Sequence, residues 1–157
     1  FVVRFYDQKM LCVASQVSAP EPRSSYPRGR PMPIGKGAVS RAIVAFLPPK
    51  DRAALVSDFL DAFVTSGIGS TKDAVLTELK RIRRDRVATA RGEVTPGLVG
   101  VAAPILAGDG TPIGALCLST EETTLTKDQL AALRDAIRDH AEAISDALTL
   151  PSARASA

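Results

Sequence analysis

Histidine occurs once in the 157 residues and cysteine twice, and that scarcity removes several chemistries at the outset. A metalloprotease H-E-x-x-H needs two histidines, and a nucleophilic cysteine needs a base to take its proton, so His140 alone supports neither. The chain also lacks G-x-S-x-G, G-x-x-x-x-G-K-[ST] and a G-x-G-x-x-G following a strand pattern. His140 stands beside Asp139 in a helical stretch, where a solvent-side pair is the ordinary outcome. Glu121 and Glu122 lie in a polar connection with nothing nearby to raise a carboxyl pKa. The residues describe a protein that binds rather than catalyses, and they imply no cofactor and no metal.

No apolar run approaches the roughly 18 residues that span a bilayer, and FVVRFYDQKM lacks the basic, apolar, small-residue order of a signal peptide. That argues against a membrane partner, while Cys12 and Cys117 sit in apolar runs without metal-ligand spacing, which suits buried thiols in a reducing, cytoplasmic compartment. The formal charge of +3 is mild. Its one basic concentration, Lys80, Arg81, Arg83, Arg84 and Arg86, reads better as a solvated helix face than as a phosphate contact, because no aromatic platform accompanies it.

What is present is one domain's worth of core: 45% of residues are hydrophobic, and a chain this long hides roughly two thirds of its unfolded surface. The chain opens inside an apolar run without a methionine and reads as a fragment. Residues 1–6 and 10–17 are apolar, partly alternating runs around Asp7, Gln8 and Lys9, the pattern of a β-hairpin. Residues 18–33 carry five of the eleven prolines and predict an extended loop with a short strand near its end. Gly37 precedes an apolar helix over 38–47, stopped by Pro48 and Pro49. A second helix is predicted over 51–64 from the spacing of Leu55, Phe59 and Phe63. After Gly67 and Gly69 a third begins, with Ser70 and Asp73 as its capping pair and Leu79 and Ile82 on its stripe.

Residues 98–106 and 113–120 form a second hairpin around Gly108, Asp109 and Gly110. A last helix starts at Thr126, capped with Gln129, carries Leu130, Leu133, Ile137, Ile144 and Leu148 at helical spacing, and ends at Pro151. The order of elements predicts an α+β (α/β) architecture, a central antiparallel sheet with helices packed on it, over residues 1–157.

In the second hairpin one side-chain parity is bulky, Val99, Val101 and Ile105 with Leu116 and Leu118, and suits packing against helices. The other is small: Gly100, Ala102, Ala115, Cys117 and Ser119. Over the small face either a close-packed helix or a ligand must supply volume. The segment Gly35, Lys36, Gly37, Ala38, Val39, Ser40 places glycines at a helix start, whose free N–H groups attract anions. It is either an ordinary glycine-eased helix start or the seat of a carboxylate whose carbon skeleton lies on the small face.

Three stretches, RPMPIGKGAVSRAIVAFLPP, LTELKRIRRDRVATARGEVTPGLVGVAAPI and GDGTPIGALCLS with the following LT and helix, resemble the effector-binding domain of IclR-type transcriptional regulators. The resemblance spans nearly the whole chain, and the middle stretch is its most specific part. It implies a GAF-like fold and a small organic acid as effector. DNA would be contacted only by a winged helix-turn-helix domain that is not in this sequence, and the sensing domains would assemble as homodimers or homotetramers. The implied pocket positions are Gly37, Ala38, Val39, Ala90, Leu98, Gly100, Cys117 and Ser119. Ala90 and Cys117 replace residues that are commonly polar in relatives binding small keto acids, which favours a larger, aromatic effector. Gly35 stands for a common histidine, and Arg86 for the usual helix-ending glycine. The other reading is a GAF-like sensor or scaffold of a different signalling protein.

Overall fold

The computed structural model describes residues 2–16 and 28–149. Residues 18–27 of the proline-rich stretch and the stop at Pro151 lie outside them. The first hairpin joins β1 (Val2–Tyr6) to β2 (Lys9–Ala14). Asp7 and Gln8 both have positive φ, 47° and 55°, as a two-residue hairpin turn requires, so Lys9 belongs to the strand rather than the turn. The second strand thus starts one residue before the expected 10–17 and ends at Ala14, residue 17 lying outside the described residues. A two-residue strand, β3 (Pro31–Met32), pairs with β2.

Next come α1 (Gly37–Val44), α2 (Pro49–Asp58), α3 (Leu60–Thr65) and α4 (Lys72–Asp85). Every residue of α1 is buried. It ends before the prolines, and the carbonyls beyond its end go to arginines: Arg52 donates to Ala45 O at 2.9 Å, and Arg83 to Phe46 O at 3.3 Å. Pro49 starts α2, where a missing N–H costs nothing. The single helix expected over 51–64 is two, because Phe59 (φ −115°, ψ 24°) leaves helical geometry and is partly exposed, while Leu55, Val56 and Phe63 are buried as the spacing requires. The cap of α4 is Thr71 rather than Ser70, accepting from Ala74 N at 3.2 Å. The α4 helix ends on Arg86 at φ 56°, the left-handed position where glycine is cheapest.

The strand β4 (Ala88–Arg91) was not predicted. It pairs with β5 (Leu98–Leu106), which pairs with β6 (Pro112–Glu121). The sheet is antiparallel and six-stranded, in the order β3-β2-β1-β6-β5-β4. A short 3-10 turn (Glu122–Thr124) leads to α5 (Lys127–Thr149), whose start is the reciprocal box expected: Thr126 N donates to Gln129 Oε1 at 2.9 Å and Gln129 N to Thr126 Oγ1 at 3.2 Å. No helix among the described residues is long and apolar enough to cross a membrane.

The two hairpin faces divide the core. Val101, Ala103 and Ile105 join Val87, Ile137 and Ala141 under α5, while Ala102, Ala115 and Cys117 join Ala38, Val39 and Ala42 under α1. Leu118 belongs to the bulky face but remains 37% exposed, so α5 does not cover that end of β6. Ser145 bolts α5 to the sheet, accepting from Leu106 N at 2.9 Å and donating to Ala141 O at 2.8 Å.

The basic cluster is only partly a solvated face. Arg81 pairs with Glu78 and Asp85, but Arg83 and Arg86 lie over the Phe46 ring at 5.2 and 5.7 Å, and Arg86 pairs with Glu142.

At the junction between β1 and β6 the backbones leave no room for a side chain: a Cβ on Gly114 would lie 2.2 Å from Val3 O. Gly114→Ala therefore has to separate the strands, at a cost near the upper end of overpacking, about 3 kcal/mol. The expected outcome is a Tm lower by roughly 6 to 12 °C in thermal unfolding followed by circular dichroism.

Candidate functional site

The small-residue face is a grid. Ala90, Gly100 and Ser119 stand opposite one another on β4, β5 and β6, and the next row is Ala88, Ala102 and Cys117. With so little side chain between them, α1 settles close onto the strands; a Cβ on Gly100 would meet Ala38 Cβ at 3.7 Å and Ser119 Oγ at 3.8 Å. The packed helix fills only part of this face. Ala102 and Ala115 lie beneath the packed helix, whereas the row at its N-terminal end leaves a cavity of about 30 Å³.

Seven of the eight anticipated positions, Gly37, Ala38, Ala90, Leu98, Gly100, Cys117 and Ser119, line that cavity. Val39 does not; it is buried in the core under α1. The remaining wall is the β4–β5 connection, through Gly92, Glu93, Val94 and Thr95. The helix start above the cavity is also rigidly defined. Gly35 N donates to Ser40 Oγ at 2.8 Å, and any Cβ at Gly35 would lie 2.7 Å from Ala62 Cβ, so a larger side chain has no room here.

The helix start already holds a carboxylate, supplied by the chain itself. Gly37 N–H donates to Glu93 Oε2 at 2.9 Å, and Arg41, one turn into α1, pairs with Glu93 Oε1 at 2.6 Å. Both side chains are about nine-tenths buried, at 10% and 11% exposure. Arg41 also donates to Thr89 O and Ser66 O, each at 3.1 Å, while its Nε finds no acceptor among the described residues. Burial holds the Arg41 pKa below its ordinary value, and the nearby carboxylates of Glu93 and Glu78 offset only part of that shift.

Sequence reasoning missed Glu93 and Arg41. The signal was an arginine inside an otherwise apolar helix, which must find a buried acceptor. Cys117, at the floor, has its thiol pushed up to about 11 by burial. His140 is on the exposed side of α5 with Nδ1 2.6 Å from Ala136 O, away from the cavity-lining residues. Among the described residues no cluster of three or more His, Cys, Asp or Glu could hold a metal ion.

Comparison with known proteins agrees with this architecture. Residues 4–146 match the family described as bacterial transcriptional regulator IclR C-terminal. The HTH-type transcriptional regulator XynR of Escherichia coli (strain K12) is 26% identical over 123 residues, 78% of this chain, and the chain spans 49% of the length of that regulator. An IclR transcriptional regulator from Alicyclobacillus acidocaldarius superposes with a TM-score of 0.78 at 17% identity, over 94% of this chain and 59% of the other. The inducer-binding domain of the PobR transcription factor from Acinetobacter, a double mutant in complex with 3-hydroxybenzoic acid, superposes with a TM-score of 0.72 at 16% identity, covering 92% of this chain and 85% of that one. The fold is the GAF-like fold of these regulator domains, and the chain belongs to the IclR C-terminal family of transcriptional regulators.

Proposed function

We propose that residues 1–157 form the ligand-sensing domain of an IclR-type transcriptional regulator and that the sensed molecule is a small organic acid, aromatic rather than a short keto acid. The observation that carries this reading is the cavity between the α1 N-terminus and the Ala90, Gly100, Ser119 row. Its upper rim is a helix start that holds a carboxylate, and its floor is small and largely apolar. The eight positions Gly37, Ala38, Val39, Ala90, Leu98, Gly100, Cys117 and Ser119 are the proposed ligand contacts, Val39 through its first-turn N–H. The relative that holds 3-hydroxybenzoic acid supports the aromatic assignment by analogy of fold. In the same reading the domain works in the cytoplasm as a homodimer or homotetramer. Ligand shifts the poise of a DNA-binding domain outside these residues.

We further propose that the site binds without catalysing. Cys117 is the one thiol lining the cavity, and with a pKa near 11 it stays protonated, and a poor nucleophile, throughout the physiological range.

Three measurements test the proposal. Thermal unfolding against a panel of aliphatic and aromatic carboxylates, with the matching amides as controls, should give a shift for one chemical class. At a hundredfold excess over Kd the gain is about 2.7 kcal/mol, which is roughly 5 to 10 °C for a domain of this size. A flat panel would refute the pocket. In Gly100→Ala the new methyl finds ordinary van der Waals distances, so Tm should hold within a few degrees while the acid-dependent shift shrinks; an undiminished shift would move the ligand elsewhere. Iodoacetamide at pH 8 should leave Cys117 unmodified in the folded chain and alkylate it in denaturant, as mass spectrometry of the peptides would show; rapid native labelling would reopen a nucleophilic role.

A further inference from the structure

A carboxylate effector and Glu93 want the same place. The Gly37 N–H and the Arg41 guanidinium, the two groups an incoming acid would use, are both taken by Glu93, at 2.9 and 2.6 Å. The cavity beside them, about 30 Å³, admits a water or two and not an aromatic acid. Its outer wall is the same segment that carries Glu93. That segment is bounded by Gly92 and Gly97, at φ 65° and 79°, with open space where each Cβ would be. Its backbone ties include Gly92 N to Leu98 O at 2.8 Å, Leu98 N to Thr95 O at 3.2 Å and Glu122 N to Gly97 O at 2.9 Å, the last anchoring the second glycine as a pivot. Arg41 is nine-tenths buried and its Nε has no acceptor among the described residues, so the guanidinium still lacks one partner with Glu93 in place.

We propose that Glu93 is a resident occupant of the effector's anion position, and that an acid effector binds by exchanging its carboxylate for that of Glu93 while segment 92–97 swings out about its two glycines. The inference rests on the acid-sensing reading above. Adding a second carboxylate without expelling the first would place like charges around one buried guanidinium, which is costly. A neutral analogue that displaced Glu93 would leave Arg41 buried and unpaired, which is costlier. Exchange of anion for anion avoids both penalties, so the buried charge of Arg41 restricts the site to acids and Glu93 sets how strongly an acid must compete. The same exchange enlarges the cavity, because the wall leaves with the carboxylate.

Hydrogen exchange read by mass spectrometry on the 157-residue chain tests this, with benzoate and pyruvate as probes and benzamide and pyruvamide as controls. Calorimetry on the wild type and on Glu93→Gln and Glu93→Asp accompanies it. The aspartate keeps a charge for Arg41 but withdraws it by one methylene, which guards against a glutamine variant that fails to fold. The expected result is faster exchange at Gly92 and Leu98 and slower exchange at Ala38 and Val39 when an acid binds. Affinity for that acid should rise about tenfold or more in Glu93→Asp, with the amides unbound throughout. An acid that binds while segment 92–97 stays protected, or that gains nothing in Glu93→Asp, overturns the exchange and leaves the acid-binding pocket standing. Binding of neither acid to wild type or variants overturns the acid-sensing reading and the exchange together.

Discussion

The buried guanidinium of Arg41 is the constraint around which this end of the molecule is arranged. Removing an arginine from water costs several kcal/mol unless its donors are answered, so whatever surrounds it must bring acceptors inward. Three separate pieces of chain do so: the edge strand β4 through Thr89 O, the α3–α4 turn through Ser66 O, and the β4–β5 connection through Glu93. Each is an irregular or marginal element with little apolar surface of its own. Their common acceptor role fixes where α1 sits along the sheet, and thus where its first turn meets the strands.

That placement explains how a fully buried helix can coexist with a cavity. Over Ala102 and Ala115 the small side chains let α1 sit on the strands, and the volume the sequence leaves open is filled by helix. Toward the start of α1 the strands present Gly100 and Ser119, and above them stands only the first turn of the helix, with the β4–β5 connection beside it. Packing quality therefore falls off in one direction along a single helix. The site is the place where the helix runs out, bounded by the groups a helix end leaves without partners.

Most of the framework could be read from residue pattern, because hairpins and amphipathic helices announce themselves through side-chain period and turn chemistry. The alternation in 98–106 and 113–120 separated the two faces of the sheet correctly, and seven of the eight proposed contacts lie together at its small face. The strand β4 escaped notice because Ala88, Thr89, Ala90 and Arg91 have no bulky alternation; its identity comes from pairing with β5, a long-range fact. Phe59 kept helical spacing in the sequence but not in the backbone. The larger omission was electrostatic. The glycine-rich helix start read either as an ordinary helix entry or as the seat of a ligand carboxylate, and no local pattern could reveal that a carboxylate 56 residues away would fill it.

The strand order has a mechanical consequence. Among the described residues, the N-terminal hairpin and β3 hang from the rest of the sheet through β6 alone, by the register pairs Val2–Leu116, Val3–Ala115 and Arg4–Gly114. The same strand, one and three residues further along, contributes Cys117 and Ser119 to the cavity wall. A sheet ladder is stiff along its strands, so β6 acts as a shared beam: a tilt imposed at its cavity end is delivered to the first strand of the chain without passing through any helix.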